Sequence, residues 1–200
     1  LKELSHRYSE RLQASNVELD DILHSAAFHR APLNHRAVAI GRDRQQLHQA
    51  LSEYWQHGHC DQVITSRRTA QGQPLPVWVF TGMGPQWWGM GQELYRSEPV
   101  YRDAVDTADR LFQNVSGFSI VAQMLKSKGE SRITQTAFAQ PANFMLQWGL
   151  AAMLSAAGVK PGAIVGHSVG EVTAACVSGA LSLDDAVRVI HERSRLQATT

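Results

Sequence analysis

The chain predicts an α/β domain built on a parallel sheet with flanking helices and preceded by a small α+β unit, and three observations carry that reading. The compact apolar run Val77-Trp78-Val79-Phe80 reads as a buried strand of a mostly parallel sheet, and Ala163-Ile164-Val165 reads as a second short strand. Stretches with apolar residues at helical spacing lie between and after them. The segment 65–76, with Ser66, Arg67, Arg68, Gly72, Pro74 and Pro76, has little apolar content and two prolines. It reads as a connector that divides the chain into residues 1–75 and 76–200.

Bulk properties narrow the function classes. A chain of 200 residues with 44% hydrophobic side chains can bury a real core. Nineteen Lys and Arg against eighteen Asp and Glu give a formal charge of +1, which leaves no surplus field for a polyphosphate backbone or an anionic membrane. Neither nucleic acid nor a membrane is therefore expected as a partner. The longest apolar stretch, 144–159, is interrupted by Gln147 and Ser155 and is short for a bilayer. Cys60 and Cys176 stand far apart with no CxxC or Cys/His cluster, so no metal site is expected and both read as reduced thiols of a cytoplasmic protein. The opening Leu1-Lys2-Glu3-Leu4 is neither an initiator methionine nor a signal segment, and the chain reads as a piece of a longer polypeptide.

Taken in order, Leu19, Ile22, Leu23 and Ala26 predict a helix, Arg36-Ala37-Val38-Ala39-Ile40 alternates like a short strand before Gly41, and Leu47, Leu51 and Tyr54 predict a second helix. After the strand at 77–80 comes a glycine-rich loop, Gly82-Met83-Gly84-Pro85-Gln86, followed by Trp87-Trp88-Gly89-Met90-Gly91. Tyr101, Ala104, Val105, Ala108, Leu111 and Phe112 form one apolar helical stripe. Pro141 suits the first turn of a helix, where its missing N–H costs nothing. That helix is expected to run through Phe144, Trp148, Ala151 and Leu154, stop at Gly158 and lie buried, because its apolar residues occur on most sides. A helix over 171–177 begins straight after the second strand. Ser182-Leu183-Asp184-Asp185 resembles a capping box opening a last helix through Val187 and Ile190.

Strand, tight turn and helix meet at Gly166-His167-Ser168-Val169-Gly170. A chance G-x-S-x-G turns up in roughly one chain in fifteen of this length, so the position between strand and helix carries the reading. A sharp turn there exposes and orients a serine hydroxyl as a nucleophile. The same turn aims the Val169 N–H, at a helix N-terminus, where an oxyanion would form on an attacked carbonyl. A second donor is needed, and the Met83 amide in the glycine-rich loop is the candidate, with a plain turn as the alternative. His167 points away from Ser168 as its neighbour on a strand end, and reads as a pocket wall or as a structural histidine. The other histidine after Ser168, His191, lies near Arg193 on the last helix. In the Ser…Asp…His order of α/β-hydrolases the general base would lie beyond Thr200, leaving this chain without its own. Arg193 could clamp a substrate carboxylate bidentately, though a helix arginine between Glu192 and Arg195 is ordinarily solvated.

Four motifs in order resemble the acyltransferase domain of modular and iterative polyketide synthases, close kin of the malonyl/acetyl transferase of animal fatty acid synthase. They are Phe80-Thr81-Gly82-Met83-Gly84-Pro85-Gln86-Trp87, Gln140-Pro141-Ala142, Gly166-His167-Ser168-Val169-Gly170-Glu171 and Arg193-Ser194-Arg195-Leu196-Gln197. The match covers residues 76–200, and residues 1–75 are similar to the linker that joins ketosynthase to acyltransferase. The resemblance implies an α/β-hydrolase-like fold, truncated before the small subdomain and the catalytic histidine. It implies that Ser168 takes an acyl group from malonyl-CoA or methylmalonyl-CoA and passes it to the phosphopantetheine thiol of an acyl carrier protein, with no bound cofactor. It makes Arg193 the carboxylate clamp, the amides of Met83 and Val169 the oxyanion hole, and Gln140 and His167 pocket residues. Many relatives carry Gln where Met83 stands, a departure that leaves a backbone role intact. Val169 leans toward malonyl, while Gln140-Pro141-Ala142-Asn143 leaves methylmalonyl open. The implied partners are the carrier protein and a ketosynthase of the same polypeptide, in a homodimeric parent. A free-standing esterase and a scaffold without turnover are the rival readings.

Overall fold

Helix α1 (Lys2–Gln13) is followed by α2 (Leu19–Phe28), β1 (His35–Ala39), α3 (Arg44–His57) and β2 (Val63–Arg67). The structure, a computed structural model, describes residues 1–14, 16–31, 33–68 and 75–199. The chain divides into two compact units, Leu1–Gln73 and Pro74–Thr200. In the first, α1 packs on α3 through a polar seam in which Ser9 Oγ lies 2.9 Å from His48 Nδ1 and 2.6 Å from Ser52 Oγ. Small side chains let the helices approach, and mutual bonding satisfies the buried hydroxyl. Leu12, Ile22 and Leu47 form one apolar cluster of this unit, and Ala50, Tyr54, Cys60 and Val63 form another. Asp43 caps α3, accepting from the Gln46 amide at 2.8 Å.

Strands β1 and β2 pair antiparallel, from His35 opposite Arg67 to Ala39 opposite Val63. This corrects the reading of 65–76 as a connector from its first residue: Thr65, Ser66 and Arg67 belong to β2. They are exposed and lack apolar alternation, so backbone pairing with β1 holds them extended where burial does not. Residues 69–74 of the expected connector, including Gly72 and Pro74, lie outside the described residues.

The second unit runs β3 (Val77–Phe80), α4 (Gln92–Ser97), α5 (Pro99–Ser116), α6 (Ile120–Met124), α7 (Thr136–Ala156), β4 (Ala163–Gly166), α8 (Gly170–Val177) and α9 (Leu183–Gln197). Strands β3 and β4 pair in parallel, with Val77 opposite Ala163 and Phe80 opposite Gly166. Helices α5, α7 and α9 form the core around Tyr101, Val105, Ala108, Phe112, Phe144, Met145, Val187 and Ile190, all without solvent exposure. At about 1.5–3 kcal/mol for each large apolar side chain buried, this contact is the main source of the unit's stability. Asp109 on α5 is buried and fixes the start of α6, accepting from Ile120 N at 2.7 Å and Ser119 Oγ at 2.6 Å.

Two expectations are corrected here. The run at 77–80 is covered on one side only. Trp78 and Phe80 pack against Ala151 and Ala174, while Val77 and Val79 remain 56% and 64% exposed, since no described element lies over them. Pro141 is not in a first turn: α7 starts at Thr136, and Pro141 sits inside it. The proline removes the N–H that the Ala137 carbonyl would accept. Buried Phe138 and Ala139 hold the added turn in place through packing. No helix among the described residues is long and apolar enough to cross a membrane.

Candidate functional site

Ser168 occupies the turn between β4 and α8 with φ of 55°, the one non-glycine residue with positive φ among those described. An L-residue in this conformation is strained, and strain of this kind persists where surrounding packing over-determines it. Both flanking glycines supply that packing. A Cβ on Gly170 would fall 2.1 Å from the Phe80 carbonyl oxygen, and one on Gly166 would fall 2.5 Å from Glu171 Cα. The turn is pinned by His167 N donating to Phe80 O at 3.0 Å and by Glu171 N donating to Ser168 O at 3.1 Å. Fully buried Val169 is the residue immediately before α8, so its amide lies at the positive end of that helix.

The glycine-rich loop comes to the same place. A Cβ on Gly82 would stand 3.1 Å from Ser168 Cβ and 3.0 Å from His167 Nδ1, so the loop backbone packs on the serine turn. Met83 follows directly, its side chain 40% exposed. Gln147 of α7 holds the loop from behind, its Nε2 donating to the Thr81 carbonyl at 2.8 Å while its Oε1 accepts from Thr173 Oγ1 of α8 at 2.8 Å.

Arg193 reaches the serine. Its Nη2 donates to Ser168 Oγ at 2.9 Å, and its Nη1 donates to Gln140 Oε1 and, at 3.4 Å, to Gln197 Oε1. Gln140 is wholly buried and donates through Nε2 to Gln197 Oε1 at 2.7 Å. The neighbouring acid does not compete: Glu192 pairs with Arg195 at 2.7 Å, and that hydrogen bond holds its carboxyl below the usual carboxylate range. Arg193 is thus turned inward, unlike the solvated arginine that the sequence by itself suggests.

The structure therefore brings Ser168, Arg193 and Gln140 into one hydrogen-bonded group, with the Met83 loop and Val169 beside it. His167 is exposed and lies against Gly82. His191 stands apart from the serine, edge-on to Phe112 with ring centroids 5.6 Å apart and 3.8 Å from Glu192. Among the described residues no imidazole or carboxylate hydrogen-bonds Ser168 Oγ, and no group of three or more His, Cys, Asp or Glu could hold a metal. Gln197 and Gln147 are site residues that the sequence reading did not single out. Gln197 lies four residues after Arg193, hence on the same helical face. Gln147 interrupts an apolar helix, and a polar residue in such a setting has to find partners.

The description "Acyl transferase domain" belongs to the family model that matches residues 77–200. The chain is 41% identical over 179 residues to the spectinabilin polyketide synthase system protein NorC of Streptomyces orinoci, covering 89% of this chain and 8% of that protein. It superposes with TM-score 0.82 and 30% identity on the acyltransferase domain from module 8 of the salinomycin polyketide synthase, over all of this chain and 47% of that one. The acyltransferase domain of SpnD in complex with 2-(pent-4-yn-1-yl)malonyl matches with TM-score 0.82 and 29% identity, over 98% of this chain and 45% of that one. The chain thus spans under a tenth of that curated relative and under half of these solved chains. The family model covers more than half of the chain, and the chain belongs to the acyl transferase domain family.

Proposed function

We propose that this chain forms part of a polyketide synthase acyltransferase that loads an α-carboxyacyl extender unit from CoA onto Ser168 and passes it to the phosphopantetheine thiol of an acyl carrier protein. The observation that carries the reading is the Arg193 guanidinium 2.9 Å from Ser168 Oγ. A planar cation one hydrogen bond from a nucleophile suits a substrate that bears a free carboxylate near its reactive carbonyl. In the first step Oγ attacks the thioester carbon, the C–O bond forms, the C–S bond breaks and CoA leaves as the thiol. The seryl proton passes by way of a histidine that the family resemblance puts C-terminal to these residues. In the second step the carrier thiol attacks the seryl ester, C–S forms, C–O breaks and Oγ regains its proton. The amides of Met83 and Val169 would stabilise the oxyanion of both tetrahedral intermediates. Gln140 orients the clamp and His167 lines the entry beside the loop.

The two steps need no bound cofactor, and CoA thioesters suit a cytoplasmic enzyme. Val169 favours malonyl, while the relative that holds a 2-substituted malonyl group supports keeping methylmalonyl as the second extender unit. Residues 1–75 would act as the linker to a ketosynthase of the same polypeptide in a homodimer. The clamp sets this reading above a simple esterase, which has no use for a cation at the nucleophile.

The test is the intact mass of the full-length protein after brief exposure to malonyl-CoA, methylmalonyl-CoA and acetyl-CoA. A carboxyacyl adduct is expected, absent in Ser168→Ala and reduced on the order of a hundredfold in rate in Arg193→Ala, in line with loss of a charge-assisted contact. No adduct from any thioester would overturn the proposal.

A further inference from the structure

We propose that Gln197 is a positioning residue that selects for carboxylated substrates by holding the Gln140 amide and the Arg193 guanidinium in one fixed arrangement, an inference that rests on the acyltransferase reading above. An amide side chain has a donor end and an acceptor end, and a half-turn exchanges them. Gln140 is wholly buried between two groups, Arg193 and Gln197. With its Oε1 toward Arg193 it accepts from Nη1. Turned over, it would press an NH2 against a guanidinium that can only donate, in a place without solvent to relieve the conflict.

Gln197 supplies the acceptor for the other end, so the orientation that Arg193 demands also leaves the Gln140 NH2 satisfied. Its Oε1 accepts from Gln140 Nε2 at 2.7 Å, so the NH2 end of Gln140 is held away from the arginine. The same oxygen accepts from Arg193 Nη1 at 3.4 Å, across the one helical turn that separates the two residues on α9. One arm of the guanidinium fork is thereby anchored on protein oxygens, and the other arm, Nη2, is left directed at Ser168 Oγ. A bidentate clamp works only if the fork does not rotate. Because Gln197 is itself exposed, water can replace its hydrogen bonds when it is removed, but water does not impose their direction.

The experiment measures acylation of the full-length protein by malonyl-CoA and by acetyl-CoA, which lacks the free carboxylate of the malonyl group, for wild type, Gln197→Ala, Gln140→Ala and the double variant. Gln197→Ala is expected to lower the malonyl-to-acetyl ratio of kcat/KM by about tenfold, mostly through KM for malonyl-CoA, a coupling of the size found between groups in one hydrogen-bonded network. Its melting temperature should stay within about two degrees of wild type, as for other exposed positions. The double variant should fall clearly short of the product of the two single effects, since Gln197 acts partly through Gln140 and partly through its own contact with Arg193. An unchanged ratio in Gln197→Ala, or effects that multiply in the double variant, would overturn this inference and leave the acyltransferase reading standing. A wild-type protein that takes no acyl group from either thioester would overturn both.

Discussion

Ser168 shows how a single residue can be held in a conformation that its own chemistry disfavours. Its positive φ costs about 1–2 kcal/mol for an L-residue. The close packing of Gly166 and Gly170 on neighbouring backbone leaves the turn no other path. Replacing Ser168 by Gly relieves the strain but adds chain entropy to the unfolded state, about 0.5–1 kcal/mol. The net expectation for Ser168→Gly is a gain of about 0.5–1 kcal/mol in urea unfolding, together with complete loss of acylation. A variant less stable than wild type would show that the observed φ is not a strained one. The serine was legible because its pentapeptide sits between a strand and a helix. The inward turn of Arg193 was legible only through the family resemblance, since nothing local distinguishes it from Arg195; the choice depends on Glu192 pairing with Arg195 and on Gln140 arriving from another helix.

Among the elements, those written by strong periodicity or capping were readable. The stripe from Tyr101 to Phe112 became α5, and Ser182 caps α9 by accepting from Asp185 N at 3.1 Å. Those held by tertiary partners were not. Strand β2 owes its extension to β1, and the first turn of α7 owes its helicity to packing ahead of Pro141. Helix α1 went unread because Leu4, Tyr8 and Leu12 stand in a polar stretch whose buried seam is made of serines. Gln147 marks where the elements are tied to one another, since it joins α7 to the loop after β3 and to α8. Thr173 has no solvent exposure, so Gln147→Leu would leave its hydroxyl without that acceptor at a cost of about 1–3 kcal/mol. Thermal unfolding should show the loss. Pairing it with Thr173→Val should recover most of it, because two apolar groups no longer leave an unmet donor. If the double variant were as unstable as the single one, the hydrogen bond would not be the cause.

Across the whole molecule, apolar surface is distributed unevenly, and this has a consequence for the chain in solution. Within the second unit β3 hydrogen-bonds to β4 alone among the described strands, so its other edge pairs with no described strand. A groove of about 560 Å³ runs beside it, lined by Val77, Val79, Trp87, Leu150 and Leu154 among others. Val79 is 64% exposed, its partner Val165 is 50% exposed and Trp87 is 60% exposed. An open strand edge bordered by exposed apolar side chains is the arrangement that folded proteins ordinarily cover or charge, because it recruits other chains. The 200-residue chain on its own is therefore expected to bind a hydrophobic reporter dye and to self-associate at micromolar concentration. Val79→Lys places a charge on the exposed face without touching the packed side held by Trp78 and Phe80. It should cut dye fluorescence severalfold and shift light scattering toward monomer, with the melting temperature within about two degrees of wild type. Dye binding that is the same in both proteins would locate the sticky surface elsewhere, since the lysine can suppress only association that runs through this strand.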